Sequence, residues 1–92
     1  MTRHILFALG QVVATKNAVE FMNQHGIIPL DLLYRHQHGD WGDLNESDRE
    51  SNEQALIEDH RIFSSYKFSN EKVWVITEAD RTLTTILLPS DY

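Results

Sequence analysis

Three runs of sequence decide the fold of this chain: RIFSSYKF (residues 61–68), KVWVITE (residues 72–78) and TLTTILL (residues 82–88). Each run is rich in β-branched and aromatic residues, which favour β-strands. The short polar segments SNE (69–71) and ADR (79–81) separate the runs and have the composition of turns. This spacing predicts a three-stranded antiparallel β-meander. Pro89 should end its last strand, because proline has no backbone N–H to donate to a neighbouring strand.

The segment before the meander begins with an extended pattern and continues with a helical one. Residues 4–14 (HILFALGQVVA) favour a strand or an extended arm, which Gly10 should break or bulge. Thr15 or Asn17 would then cap a first helix over roughly residues 16–25, since both side chains can accept a hydrogen bond from the helix N-terminus.

Two further helices are expected between this first helix and the meander. Pro29 suits the first turn of a helix that runs to about His38. Asn45 or Ser47 would cap a third helix, which has few apolar residues and should therefore lie on the surface. The chain is predicted to form one α+β domain over residues 1–92. Two or three helices would pack on a three- to four-stranded antiparallel sheet that ends in the β-meander.

The charge of the chain is concentrated in one segment. Its 92 residues carry a net charge of -6, and residues 40–59 hold eight acidic side chains against Arg49. The eight are Asp40, Asp43, Glu46, Asp48, Glu50, Glu53, Glu58 and Asp59. Such a segment repels phosphate groups, and no basic patch is visible elsewhere, so direct DNA binding is not expected.

Several classes of function are excluded by residue types that the chain lacks. There is no cysteine, which removes disulfides, thiolate metal sites and cysteine nucleophiles. There is no run of 18 apolar residues, so no membrane association is expected. The N-terminal sequence has no convincing signal peptide, and a cytoplasmic location is predicted. No motif calls for a cofactor, and none is expected.

Several short motifs resemble those of a family of small bacterial proteins. They are GDWG (residues 39–42), VITEADR (75–81) and TTILLP (84–89), with DY at 91–92, and the resemblance begins at LGQVVAT (9–15). Members of this family are found on plasmids, genomic islands and other mobile elements, and are often labelled plasmid-related proteins. The resemblance implies a mobile-element setting in bacteria and assigns no catalytic residue.

One candidate metal site is suggested by two histidines and a carboxylate that lie close together in the sequence. His36, His38 and Asp40 are ligand types that divalent metals accept. However, a step of two residues turns a helix by about 200°, so His36 and His38 converge only if the helix ends between them. The alternative is that both histidines sit at a helix C-terminus, where the negative end of the helix dipole favours them.

A small nuclease or toxin is one functional hypothesis. His60, Arg61, Tyr66, Glu78 and Arg81 would supply a base, cations and a hydroxyl on one small sheet, as metal-independent ribonucleases require. The alternative is a polar sheet face on which Arg61, Glu78 and Arg81 pair across strands. The nuclease hypothesis requires them to share one cleft.

A non-enzymatic protein-interaction module is the leading hypothesis. Its contacts would be Trp41 and six acids of residues 40–59: Asp40, Asp43, Glu46, Asp48, Glu50 and Glu53. An exposed tryptophan beside acids can be a binding hot spot, and an acidic surface can mimic nucleic-acid phosphates toward a basic protein. The alternatives are that Trp41 anchors its turn to the core and that the acids form a solvated face. The protein partner is unidentified, and a homodimer would explain two partly apolar sheet faces.

Overall fold

The structure is a computed structural model that describes residues 4–92. Its elements in chain order are β1 (Gln11–Ala14), α1 (Lys16–Gln24), α2 (Pro29–Gln37), α3 (Glu46–Glu58), β2 (Ile62–Phe68), β3 (Glu71–Thr77), β4 (Leu83–Leu87) and a 3-10 turn (Pro89–Asp91). The strands form one sheet in the order β1-β4-β3-β2. Three helices on a four-stranded sheet confirm the predicted α+β class, and β2, β3 and β4 form the predicted meander.

The one difference from the expected sheet is the direction of β1. This strand pairs parallel to β4, with Gln11 opposite Leu83 and Ala14 opposite Ile86. A tight turn forces two strands to be antiparallel, but the chain between β1 and β4 passes through three helices and two strands. The direction of β1 was therefore not constrained by any local turn.

The side chains that cap the helices are among those predicted. The Thr15 hydroxyl accepts a hydrogen bond from the Ala18 N–H at 3.1 Å, so α1 begins after Thr15. The Asn45 side chain accepts from the Asp48 N–H at 2.8 Å and starts α3 in the same way. Each bond satisfies a backbone donor that has no partner inside its own helix.

The hydrophobic core lies between the helices and one face of the sheet. Ala18, Met22 and Leu32 of α1 and α2 pack against Tyr66, Val73, Val75 and Ile86. A second cluster under α3 joins Phe7, Trp41, Ala55 and Ile62. Within residues 4–92, neither cluster uses the opposite sheet face. We call that opposite face the open sheet face. It carries Phe63, Ser65, Trp74, Ile76, Thr85 and Leu87, of which Ser65, Ile76 and Leu87 are nevertheless buried.

The outer edge of β2 is covered along most of its length. The Asn52 side chain donates to the Phe63 carbonyl at 2.6 Å and accepts from the Phe63 N–H at 3.1 Å. The Ser65 N–H donates to the Trp41 carbonyl, and the Ser65 carbonyl accepts from the Asp43 N–H. The Asp43 carboxylate then accepts from the Lys67 N–H at 2.8 Å. These bonds leave this edge unable to pair with another strand.

Gly10 is required where the N-terminal arm enters the sheet. Its φ is 66°, and a Cβ at this position would lie 2.3 Å from the Thr82 carbonyl carbon and 2.6 Å from the Arg81 carbonyl oxygen. Replacing Gly10 with alanine should therefore lower the free energy of unfolding by about 2–3 kcal/mol, from the left-handed backbone and the clash together. Denaturant unfolding of the Gly10→Ala variant measures this loss.

Gly26 provides the matched control. Its φ of 64° is nearly the same, but nothing lies within 4 Å of the position a Cβ would take. Gly26→Ala should cost only about 1 kcal/mol, the part that comes from the backbone conformation. Equal losses in the two variants would show that the close approach of Gly10 to β4 is unimportant.

Candidate interaction surface

The buried histidine His36 belongs to a chain of hydrogen bonds inside the core. Its Nδ1 lies 2.6 Å from the Ser64 hydroxyl, and its Nε2 lies 2.9 Å from the Thr77 hydroxyl. Thr77 is 2.7 Å from the Thr84 hydroxyl, which donates to the Leu9 carbonyl at 2.7 Å.

The bond from Thr84 to a carbonyl fixes which group donates and which accepts in every other hydrogen bond of the series. Because Thr84 donates its only proton to a carbonyl, it must accept from Thr77. Thr77 must then accept from the Nε2–H of His36, and Nδ1 accepts from the Ser64 O–H. His36 is thus the neutral Nε2–H tautomer. Burial, with a smaller contribution from the charge of Arg81, lowers the pKa of His36 from 6.5 to about 3. This histidine ties α2 directly to β2 and β3, and through Thr77 to β4.

The three candidate metal ligands do not come together. His36 uses both ring nitrogens in the core, as described above. His38 stacks on Tyr34, and its Nδ1 lies 2.7 Å from the Tyr34 carbonyl oxygen. Asp40 forms an ion pair with Arg35 at 2.6 Å, and hydrogen bonding from that guanidinium lowers the Asp40 pKa. Across residues 4–92, no group of three histidine or acidic side chains is placed to hold a metal ion.

The five candidate nuclease residues are divided between different surroundings. Arg61 and Glu78 form an ion pair at 3.1 Å on the open sheet face, beside the Tyr92 hydroxyl. Tyr66 points into the core on the opposite face, where its hydroxyl donates to the Asp40 carbonyl at 2.7 Å, and burial raises its pKa.

His60 and Arg81, the other two candidates, also lie apart from that ion pair. The His60 side chain is exposed and lies 3.7 Å from Glu58. Arg81 donates to the carbonyls of Ala55, His60, Glu78 and Ala79, and so holds the C-terminal end of α3 against the turn after β3. The five side chains therefore do not line one cleft.

Trp41 is buried, which corrects the expectation that its side chain is exposed for a partner. Only 2% of its surface is exposed, and its indole N–H donates to Glu53 of α3 at 3.0 Å. Its ring packs near Phe7 and His36. Trp41 therefore anchors its turn and α3 to the core, and Glu53 serves partly to satisfy the indole.

The other acids of residues 40–59 differ in whether their carboxylates contact another group. Asp40 pairs with Arg35, and Asp43 accepts from the backbone of Lys67. Glu46, Asp48 and Glu50 lie exposed on the first half of α3, and none forms an ion pair with any residue from 4 to 92. The guanidinium of Arg49 donates instead to the carbonyls of Gly42 and Leu44. This part of α3 therefore carries three exposed negative charges against the one positive charge of Arg49.

A groove joins this acidic surface to the open sheet face. It has a volume of about 320 Å³, and we call it the junction groove. Its lining residues are Asp43, Leu44, Asn45, Asp48, Phe63, Ser65, Lys72 and Trp74. The Phe63 and Trp74 rings meet edge to face, with centroids 5.1 Å apart.

Ser65 lines the junction groove and has a buried hydroxyl group without a hydrogen-bond partner among residues 4–92. It lies directly opposite Trp74 in the β2–β3 register and is only 3% exposed. Buried hydroxyl groups normally have hydrogen-bond partners, because an unmade hydrogen bond costs free energy. Neither residue was among the candidate interaction residues. The alternation along each strand groups Ser65 with Phe63 and Trp74 with Ile76, but no local signal shows that these two pairs share one face of the sheet.

Comparisons with protein-family models, with curated proteins and with solved structures found no match to this chain. Among residues 4–92, no helix is both long and apolar enough to span a membrane.

Proposed function

We propose that this chain is a non-enzymatic protein-interaction module that binds a basic protein surface through the acidic first half of α3. The observation that carries the proposal is the set of exposed carboxylates of Glu46, Asp48 and Glu50, none of which forms an ion pair with a described cation. The nearby Arg49 donates to backbone carbonyls instead. The resemblance to proteins of bacterial mobile elements is compatible with an accessory role of this kind.

Helix stability alone does not explain the charge pattern of α3. Glu46 and Asp48 lie in its first turn, where acids are favourable at the positive end of the helix dipole. Glu58 and Asp59 stand at the other end, where negative charge is unfavourable, and the last turn contains no basic residue. A chain that needed only a stable helix would place cations there. The excess of acids is better explained by attraction to a positively charged partner.

The surface beside these acids suits a protein more than a small ion. Glu46, Glu50 and Glu53 line a shallow hollow along α3, and its lining is completed by Arg49, Gln54, Leu56 and Ile57. Ile57 is 77% exposed, which places an apolar side chain within the acidic surface. Protein interfaces combine such apolar contacts with charged rims.

Neutralising the first half of α3 should weaken binding to a basic probe. In the triple variant Glu46→Gln, Asp48→Asn, Glu50→Gln, we expect at least a tenfold rise in the Kd for a six-lysine peptide at low salt. Isothermal titration calorimetry at several salt concentrations measures both the affinity and its salt dependence. The wild-type affinity should fall steeply as salt rises.

A second triple variant controls for net charge. Glu20→Gln, Asp31→Asn, Glu71→Gln removes the same charge from exposed positions outside residues 40–59. It should change the Kd less than threefold, because exposed charges far from the bound peptide are screened. Similar losses in the two variants would mean that the peptide senses only net charge, and the proposed surface would be abandoned.

A further inference from the structure

We propose that the junction groove binds an arginine side chain of the basic partner. This inference rests on the proposed function, because it identifies one side chain that the acidic module would recognise. It places a specific pocket at the point where the acidic segment meets the open sheet face.

The walls of the groove match the flat faces of a guanidinium group. Trp74 and Phe63 lie partly exposed on the open sheet face with their rings perpendicular to each other. Guanidinium groups stack on aromatic faces and are attracted by the ring quadrupole, with tryptophan the strongest partner. A groove of about 320 Å³ is near the lower limit for ligand sites, which suits a single side chain rather than a larger molecule.

The rim of the groove supplies hydrogen-bond acceptors for the edge of the guanidinium. Asp43 uses its Oδ2 for the Lys67 N–H, so its Oδ1 remains to accept. The Asp48 carboxylate forms no ion pair or hydrogen bond with the side chains of residues 4–92, although Asp48 uses its backbone N–H for the Asn45 cap. Lys72 also lines the groove but lies more than 4 Å from both carboxylates, since it forms no ion pair with either. The rim therefore carries two negative charges against one positive charge.

The unpartnered hydroxyl of Ser65 is the observation that points to a ligand. It is buried at the floor of the groove and has an unused acceptor. A guanidinium has five N–H donors in a fixed fork, so it can bond Ser65 and a carboxylate together once the groove widens enough to expose the covered hydroxyl oxygen. A lysine ammonium is a point charge with no planar face to stack on the rings, so it should bind in this groove more weakly.

The test compares a six-arginine peptide with a six-lysine peptide of equal charge on the wild-type chain. The arginine peptide should bind about tenfold more tightly, and the difference should disappear in Trp74→Leu, which keeps every carboxylate. Ser65→Ala should also reduce the preference. This variant should not lose stability, because the wild-type hydroxyl makes no hydrogen bond within the described chain.

Nuclear magnetic resonance locates the bound peptide. The two tryptophan indole N–H signals form a matched pair, since Trp41 is buried and donates to Glu53 while Trp74 lines the groove. Arginine peptide should shift the Trp74 signal and the Ser65 and Asp48 amides, and leave the Trp41 signal in place.

The outcomes separate the two proposals. Binding of neither peptide would contradict both the proposed function and the groove. Equal binding of both peptides would keep the proposed function and reject the arginine site. Self-association through the Trp74 face that excludes both peptides, seen by analytical ultracentrifugation, would also reject the site in favour of a second copy of this chain.

Discussion

Acidification from pH 7 to pH 4 should lower the free energy of unfolding by about 3 kcal/mol through His36 alone. The imidazole is buried against the hydroxyls of Ser64 and Thr77, and its folded-state pKa is about 3 instead of 6.5. A loss of this size is a large fraction of the total stability of a small domain. The fold should therefore be sensitive to mild acid.

The sign of the effect follows from proton binding in the two states. Between pH 6.5 and pH 3, the unfolded chain holds a proton on His36 and the folded chain does not. Stability therefore rises with pH across this window. It is complete above pH 6.5 and is lost progressively as the pH falls toward 3. Asp40, Asp80 and Asp91, whose pKa values are lowered by hydrogen bonds, act in the same direction at lower pH.

The variant His36→Gln isolates the contribution of this side chain. Glutamine cannot gain a charge, so the difference in unfolding free energy between pH 7 and pH 4 should shrink by about 3 kcal/mol. The control His38→Gln changes a partly exposed imidazole at the end of α2 and leaves His36 in place. It should keep the wild-type dependence. Denaturant titrations at each pH provide the data.

A pH titration of the His36 imidazole in the wild-type protein tests the same prediction if the variant His36→Gln folds poorly. Imidazole signals in a pH titration of the wild-type protein should show His36 neutral at pH 5, as the Nε2–H tautomer. Titration of His36 near pH 6.5 in the folded protein would contradict the hydrogen-bond chain that we describe.

The meander and the helix starts were predictable because their causes are local in the sequence. The alternation in residues 62–68 places Ile62, Ser64 and Tyr66 on one face, and the structure buries all three. The caps Thr15 and Asn45 were among the expected residues, since a cap acts on an N–H only three positions away. The parallel pairing of β1 depends on contacts with residues about 70 positions along the chain and has no local signal.

The two tryptophans show where local patterns stop being sufficient. Trp74, in the middle of an apolar run, is partly exposed on the open sheet face, whereas Trp41, a candidate contact for a partner, is buried. Alternation tells which residues of a strand share a face, but not which face the helices cover. The burial of Trp41 depends on Glu53 and Phe7, which are distant in sequence.

The role of His36 was not predictable from local sequence either, because its hydrogen-bond partners are distant along the chain. Its partners Ser64 and Thr77 are 28 and 41 positions away. One signal was available, because Ser64, Thr77 and Thr84 all fall on strand faces that are otherwise apolar. Buried hydroxyls need partners, so their shared face implied a polar side chain among the helices. The buried Ser65 hydroxyl on the opposite face also lacks a partner, which the proposed arginine side chain would supply.

Replacing Asn52 with aspartate should lower the free energy of unfolding by about 3–5 kcal/mol at pH 7. Asn52 is buried, donates to the Phe63 carbonyl at 2.6 Å and accepts from the Phe63 N–H at 3.1 Å. An aspartate keeps the acceptor but has no donor, so a carboxylate oxygen would face the carbonyl oxygen. The variant would bury a charge and leave two acceptors in contact, and both effects are costly.

The penalty in Asn52→Asp should shrink in acid, which distinguishes it from a packing defect. Protonation returns a donor to the side chain, and burial raises the folded-state pKa of such a carboxyl. The cost is therefore complete at high pH and decreases as the pH falls through that raised value. Denaturant unfolding of variant and wild type at each pH removes the contribution of His36. Asn23→Asp makes the same chemical change at an exposed position of α1 and should cost less than about 0.5 kcal/mol. A loss in Asn52→Asp no larger than in that control would mean that α3 does not depend on Asn52 to hold the edge of β2.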